Sequence, residues 1–169
     1  GLKHLAIIFL MQIAAQPLMA QDQVHPDWKH HSIDPVLIGS SWGTGGTALA
    51  DFDGDGDLDA AISRRVSQSA YWYERINDSL WIPHLMGSGA SLEGTLGTTS
   101  LDMDRDGWND VVYNGIWFRN PGNLGTDPDT PWPSYLIKAG GHDAAAADIN
   151  GDSLMDLLIY DGNKLAWYN

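Results

Sequence analysis

The chain of 169 residues contains no cysteine. Without thiols it can form neither a disulfide framework nor a thiolate-ligated metal site. Basic residues are also few, because nine Lys and Arg stand against 22 Asp and Glu, for a formal net charge of −13. An acidic chain without a basic patch lacks the electrostatic footprint of nucleic-acid binding, so we expect no nucleic-acid partner.

Sustained helical patterns are missing as well. After residue 20 the sequence consists of short apolar runs separated by Gly, Asn, Asp and Pro, which is typical of short strands joined by turns. The sequence also shows no nucleophile–base pair and no Gly-rich phosphate loop. These absences favour an all-β protein and give little support to catalysis.

The longest apolar stretch lies within residues 1–20. Lys3 gives a short positive start, Leu5–Ala15 is apolar except for one Gln, and Ala20 is a small residue suited to cleavage. The run is too short for a membrane span, which needs about 20 residues. We therefore predict a signal peptide at 1–20 and a secreted, extracellular or periplasmic protein, with a buried N-terminal helix as the alternative.

What the sequence has in abundance is Asp at alternate positions. Asp51–Asp59 (loop 1) reads D-F-D-G-D-G-D-L-D, and related segments occupy Asp102–Asp110 (loop 2) and Asp148–Asp156 (loop 3). Carboxylates cannot leave water unpaired, whereas calcium takes about six to eight oxygens from carboxylates and carbonyls of a tightly wound loop. Three similarly spaced loops form a repeat, so we predict up to three calcium ions, one per loop.

Each acidic loop lies inside a larger repeated unit. The unit opens with Trp-x-x-His/Tyr, continues through a Gly/Ser-rich turn and a run of small residues, and ends after the loop with an apolar run and an aromatic strand. About four short strands per unit predict a propeller blade. We expect an all-β, partial β-propeller of about three four-stranded antiparallel blades over 21–169, with repeats at about 28–80, 81–131 and 132–169, the last incomplete.

Ala144–Ala147 is the one segment that favours a helix by propensity. The matching segments Thr47–Ala50 and Thr98–Leu101 are rich in Thr, so its place in the repeat predicts a strand. The chain opens with Gly1 rather than Met and stops after its third aromatic strand. Because propellers need about four to eight blades, we expect a fragment of a longer protein with further blades or domains.

The loops differ from EF-hands, because apolar or aromatic residues (Ile62, Tyr113 and Ile159) stand where an EF-hand has Glu. Asp-x-Asp-Gly-Asp-Gly-x-x-Asp followed by Trp-Tyr-Glu, and Trp-Phe-Arg-Asn-Pro-Gly later in the chain, resemble the FG-GAP/VCBS repeat family. Its loops also occur in integrin α-subunit propellers. The resemblance covers about 28–169 and suggests a secreted bacterial member.

The resemblance implies that positions 1, 3, 5 and 9 of each loop bind calcium through side chains and that position 7 binds through its carbonyl. The implied ligands are Asp51, Asp53, Asp55, Asp57 and Asp59 in loop 1, Asp102, Asp104, Asp106, Trp108 and Asp110 in loop 2, and Asp148, Asn150, Asp152, Leu154 and Asp156 in loop 3.

The main functional hypothesis is a non-catalytic, calcium-stabilised secreted scaffold that binds a carbohydrate or an extracellular protein. The first alternative is part of a propeller enzyme acting on polysaccharide or sugar, because some FG-GAP-like propellers resemble lyases and dehydratases. His31 and His84 recur at one repeat position, which Tyr135 occupies in the third unit, so we expect them to be structural. His142 has no counterpart and is the one weak catalytic candidate, although a loop His explains it as well.

The second alternative is a cell-surface adhesion module. In that case Trp42 and Trp108 would be exposed and would stack on sugar rings. Packing in the core explains both residues equally well.

Loop 3 departs from the pattern at two positions. Asn150 is a neutral ligand, and Ser153 stands where the other loops have Gly56 and Gly107. A left-handed backbone costs Ser energy that Gly avoids. We therefore predict weaker calcium binding at loop 3 than at loop 1, in a range of about 10⁻⁴–10⁻³ M. Calcium titration of loop-specific Asp→Ala variants measures each site, and a tighter third site would contradict the prediction.

Overall fold

The structure is a computed structural model that describes residues 28–36, 38, 43–64, 66–89, 92, 94, 96–113, 115–138, 142–160 and 164–169. The predicted signal peptide and Trp42 lie outside these residues. Residues 1–30 and 31–169 form two compact units. In the first unit only Trp28–His30 are described, and all three are exposed. The strands named below all belong to the second unit.

The second unit is built from three antiparallel sheets whose neighbouring strands follow chain order. Sheet 1 contains β1 (Thr44–Ala50), β2 (Asp59–Arg64), β3 (Ser69–Asn77) and β4 (Leu80–Ser88). Sheet 2 contains β5 (Thr98–Leu101), β6 (Asp110–Tyr113), β7 (Ile116–Phe118) and β8 (Ser134–Leu136). Sheet 3 contains β9 (Ala144–Ala147), β10 (Asp156–Tyr160) and β11 (Leu165–Tyr168).

This architecture confirms the predicted all-β fold, with sheets of the kind expected for partial propeller blades. Ala144–Ala147 is a strand, because its alanines pair in register with β10. Within the described part of the chain sheet 3 has three strands rather than four. That part also holds no helix long and apolar enough to cross a bilayer.

The sheets and the sequence repeats are offset by one strand. The Trp-x-x-His pattern that starts at Trp81 lies in β4, the last strand of sheet 1, and the pattern at Trp132 runs into β8, the last strand of sheet 2. Each acidic loop joins the first two strands of its own sheet. Sheets 1 and 2 therefore each take their last strand from the start of the next sequence unit.

The first strands of successive sheets are neighbours, since β1 contacts β5 and β5 contacts β9. The Ser100 hydroxyl donates to the Leu49 carbonyl at 3.1 Å between the first two sheets. The second strands are the most buried, because every residue of β2 and β6 is buried. The continuous apolar runs after loops 1 and 2 therefore correspond to strands covered on both faces.

A cross-strand aromatic pair repeats in sheets 1 and 2. The ring centroids of Trp72 and His84 lie 4.8 Å apart, and those of Trp117 and Tyr135 lie 5.0 Å apart. His84 and Tyr135 are thus packing residues, as their recurrence predicts, and each packs on a Trp of the neighbouring strand. His31 differs, because it is exposed, lies outside any strand and contacts the Asp78 carbonyl through Nδ1 at 3.0 Å.

Asn120 connects the first two acidic loops from a fully buried position. Its Nδ2 donates to the Phe52 carbonyl at 2.8 Å and to the Asn109 carbonyl at 3.1 Å, and its Oδ1 accepts from Gly122 N–H at 2.8 Å. Phe52 belongs to loop 1 and Asn109 to loop 2. The side chain amide therefore holds two loops of different sheets together.

We expect Asn120→Ala to lower the free energy of unfolding by about 2–3 kcal/mol, because it leaves buried carbonyls and an N–H without partners. Urea denaturation monitored by Trp fluorescence measures the loss. The exposed Asn77 makes one local bond, to Ser79 N–H, so Asn77→Ala should cost under about 1 kcal/mol. Equal losses in the two variants would contradict a bridging role for Asn120.

Candidate metal centres

The first Asp of each loop holds the loop in its wound form. Asp51 accepts from Gly54 N–H at 2.7 Å and from Gly56 N–H at 3.0 Å. Asp102 and Asp148 accept in the same way from the N–H groups at position 6, at 2.9 Å in both loops. The predicted winding is therefore present in all three loops, and the position 1 carboxylate lies inside the turn.

Positions 4 and 6 of every loop have left-handed backbone conformations. Position 4 is Gly54, Arg105 or Gly151, with φ of 82°, 64° and 79°, and position 6 is Gly56, Gly107 or Ser153, with φ of 97°, 95° and 69°. Ser153 thus adopts the conformation expected from its place in the repeat. The left-handed conformation of Arg105 was not predicted from the sequence, although the Gly at position 4 of the other two loops indicates such a conformation there. Loops 2 and 3 each carry one strained residue, and loop 1 carries none.

The Asp at position 9 is buried and ties its loop to the rest of the sheet. Asp59 accepts from Phe52 N–H and Arg75 N–H, both at 2.9 Å, and Asp110 accepts from Met103 N–H at 3.0 Å and Asn120 N–H at 2.7 Å. Burial is the main cause that raises the pKa of each of these two carboxyls to about 6, and the hydrogen bonds oppose it. Their negative charge is therefore costly unless a cation lies close by.

Loops 1 and 2 each bring three carboxylates together. One oxygen each from Asp51, Asp53 and Asp59 lies within 4.8 Å of the others, and the same holds for Asp102, Asp104 and Asp106. Asp55 and Asp110 are outside these groups, and the three Asp residues of loop 3 form no such group. The implied ligand sets are thus partly assembled in two loops and least assembled in the third.

Loop 1 is covered by the segment at 120–132, a cover that loops 2 and 3 lack among the described residues. A Cβ on Gly125 would lie 2.8 Å from the Asp53 carbonyl oxygen, and the Trp132 ring meets Phe52 edge-on at 5.8 Å. Asp53 is only 8% exposed, whereas its counterparts Asp104 and Asn150 are exposed. Burial accordingly raises the pKa of Asp53.

Two arginines supply positive charge beside the loops. Arg75 Nη1 donates to Asp57 Oδ2 at 2.6 Å. Arg119 donates from Nε to Asp104 and from Nη2 to Asp106, the latter at 2.6 Å. The sequence pattern did not reveal either contact. Arg119 spans two implied ligands of loop 2 and offsets part of their mutual repulsion, although exposed ion pairs of this kind are screened by salt.

The donor set of loop 1 fits a hard cation. All its converging groups are oxygens, which calcium prefers. The Asp57 Oδ1 atom is buried without a hydrogen-bond partner, and Asp53 and Asp59 are buried carboxylates whose ordinary pKa values are raised. A divalent ion within the loop would offset the cost of the Asp53 and Asp59 charges. The Asp clusters of loops 1 and 2 can therefore hold a metal ion.

The remaining candidates lie away from the loop clusters or have packing roles. The His142 side chain is 62% exposed and its Nδ1 lies 3.2 Å from Asp143 Oδ2. Trp108 is half-buried, and its indole packs between Gly54 and Gly122. Trp108 is therefore a packing residue at the junction of sheets 1 and 2. This agrees with the packing interpretation of its sequence position, which was the alternative to sugar stacking.

Reciprocal Gly and Ser substitutions at position 6 isolate the free-energy cost of a left-handed backbone at a residue other than Gly. A Cβ on Gly56 would meet no atom within 4 Å, so Gly56→Ser should destabilise the fold only through its left-handed φ, by about 0.5–1 kcal/mol. Ser153→Gly should stabilise the fold by a similar amount. Urea denaturation at fixed calcium concentration measures both, and a destabilising Ser153→Gly would contradict the conformational argument.

Comparison with known proteins agrees with the loop geometry. Residues 102–159, which contain loops 2 and 3, match the family model described as FG-GAP-like repeat. No curated protein matches the chain. The resemblance drawn from the loop motif is therefore confirmed over residues 102–159, which are similar to the FG-GAP-like repeat.

Proposed function

We propose that the chain is a calcium-stabilised, non-catalytic scaffold that binds a ligand outside the cell. FG-GAP-like repeats form binding and interaction modules, and the match at 102–159 supports that general role. The observation that carries the calcium assignment is the convergence of Asp51, Asp53 and Asp59 in a loop where two of the three are buried.

Calcium in these loops would act on stability rather than on chemistry. Each loop joins the first two strands of a sheet, so an ion that neutralises the loop stabilises the pairing of those strands. Calcium binds the wound loops and has no formed site on the unfolded chain, so it stabilises the fold by mass action. The affinity order would be loop 1 before loop 3, because loop 1 has a converging carboxylate group and no strained residue.

The enzyme alternative rests on His142. Its exposed ring contacts the adjacent Asp143 and is far from forming the nucleophile–base–orienter arrangement of a hydrolytic site. This geometry favours the binding scaffold. Turnover assays on a polysaccharide panel, with and without chelator, test the choice, and activity that disappears in His142→Ala would overturn the proposed function.

Secretion follows from the proposed signal peptide at 1–20, with cleavage after Ala20. A repeat protein that uses weak calcium loops also suits a compartment rich in calcium, since extracellular modules bind with dissociation constants of about 10⁻⁴–10⁻³ M. Expression of the natural precursor in a secreting host, followed by N-terminal sequencing of the exported protein, tests the cleavage. A mature chain that begins at Gln21 supports it, and a chain that retains residues 1–20 contradicts it.

We expect about 10 mM calcium to raise the free energy of unfolding by about 1–3 kcal/mol per occupied site relative to chelator, given the affinity range above. Differential scanning calorimetry measures the shift. Asp53→Ala should remove the part of this calcium-induced stabilisation that loop 1 contributes. Asp127→Ala removes an exposed acid outside the loops and should keep the full shift. An identical melting temperature in calcium and chelator would contradict calcium binding.

A further inference from the structure

Position 4 of one loop faces position 7 of the next loop across each junction between sheets. At the junction of sheets 1 and 2 these positions are Gly54 and Trp108. A Cβ on Gly54 would lie 3.0 Å from two atoms of the indole, and a Cβ on Gly122 would lie 3.1 Å from its Nε1. The indole therefore fills this junction, and a side chain at position 4 would crowd it.

At the junction of sheets 2 and 3 the same two positions are Arg105 and Leu154. Here the structure has a groove of about 450 Å³ whose lining includes Arg105, Ser153 and Leu154. Its volume falls in the range of about 300–1,000 Å³ that small-molecule sites occupy. A planar ring fills the first junction, and the second junction is open to a ligand of similar shape.

The lining of the groove is amphipathic. Leu101 and Leu157 form a buried apolar base, while Met155 and Tyr168 also line the groove and remain 51% and 39% exposed. Ser100 and Asn109 add a hydroxyl and an amide at the same surface. A pyranose ring matches this lining, because its apolar face stacks on an aromatic ring and its hydroxyls take polar partners.

Arg105 gives the groove an available cation. Arg75 and Arg119 make ion pairs with loop carboxylates, whereas Arg105 makes neither an ion pair nor a hydrogen bond with the described residues. Arg105 and Ser153 are also the two non-glycine residues with positive φ in the described chain, and both line this groove.

We propose that the groove between loops 2 and 3 binds a saccharide that contains a uronic acid. The carboxylate of the sugar pairs with the Arg105 guanidinium, which suits bidentate recognition, and a pyranose ring occupies the space that the indole fills at the first junction. An aromatic peptide side chain would fill the same space but would leave Arg105 without a partner. The proposal rests on the proposed function, because Asp102 also lines the groove and calcium in loop 2 would offset its repulsion of an anionic sugar.

Isothermal titration calorimetry with a glucuronate-containing disaccharide and its matched glucosyl disaccharide tests the proposal. In calcium we expect the uronate to bind at least tenfold more tightly than the neutral sugar. Arg105→Gln should abolish the preference, whereas Lys164→Gln makes the same charge change at an exposed residue outside the groove and should keep it. Equal affinity for the two sugars, or no binding of either, would overturn the proposal.

Leu154→Trp is the sharper variant, because it places at the second junction the residue that fills the first. It should reduce uronate binding at least tenfold while the circular dichroism spectrum stays unchanged. If the variant fails to fold, Met155→Trp and Arg105→Gln provide the same test from other residues of the lining. Unchanged binding in every folded variant would place the sugar elsewhere and overturn the proposal.

Calorimetric melting of the same samples separates the two ideas. If calcium stabilises the protein and the uronate does not bind, the sugar proposal fails and the scaffold role stands. If calcium does not stabilise the protein, the calcium assignment fails. If the uronate also binds in chelator, its binding does not depend on calcium in loop 2. A titration with a Trp-containing peptide that competes for the groove would identify a peptide site and overturn the sugar assignment.

Discussion

Repulsion among the carboxylates that each loop brings together is the constraint on which the rest of the structure depends. The loops join the first two strands of every sheet, so the strands pair only if the acids can be held close. Backbone N–H groups supply part of the compensation, as in the wrapping of Gly54 and Gly56 around Asp51. The pKa values of Asp59 and Asp110 remain raised, mainly by burial, so the hydrogen bonds offset only part of the cost.

The architecture could be predicted because two independent patterns agree. The loop spacing gives the repeat, and the repeat overrides the helix propensity of Ala144–Ala147, which forms β9. The boundary between sheets could not be derived in the same way. The Trp-x-x-His pattern opens a sequence unit, but the strand that contains it, β4, pairs with β3 of the preceding unit. Trp72 and His84 are cross-strand partners in that pair. Sequence order shows which strands repeat, and only the pairing shows where a sheet ends.

The sequence predicts the residues of the candidate sites better than it predicts the contacts around them. Alternate Asp residues identify the loops, and Ser153 adopts the left-handed conformation that its position requires. The contacts of Arg119 and the cover that residues 120–132 place over loop 1 come from segments distant in sequence. Those contacts make the three loops unequal in burial and charge, although their sequences look nearly equivalent. Tertiary contacts, rather than ligand identity, therefore separate loop 1 from loop 2.

Position 7 shows how a repeat can diverge without losing its loop. The family resemblance implies a backbone role for this position, which would leave its side chain free to differ between sheets. Asp57 pairs with Arg75, Trp108 fills a junction, and Leu154 leaves the next junction open. Position 4 differs as well, because the Trp108 indole packs closely on Gly54, whereas Arg105 lines an open groove despite its left-handed φ of 64°. Pairs of positions that face each other across a junction are therefore where the repeats of this chain acquire different surfaces, while the wound loops keep the sheets alike.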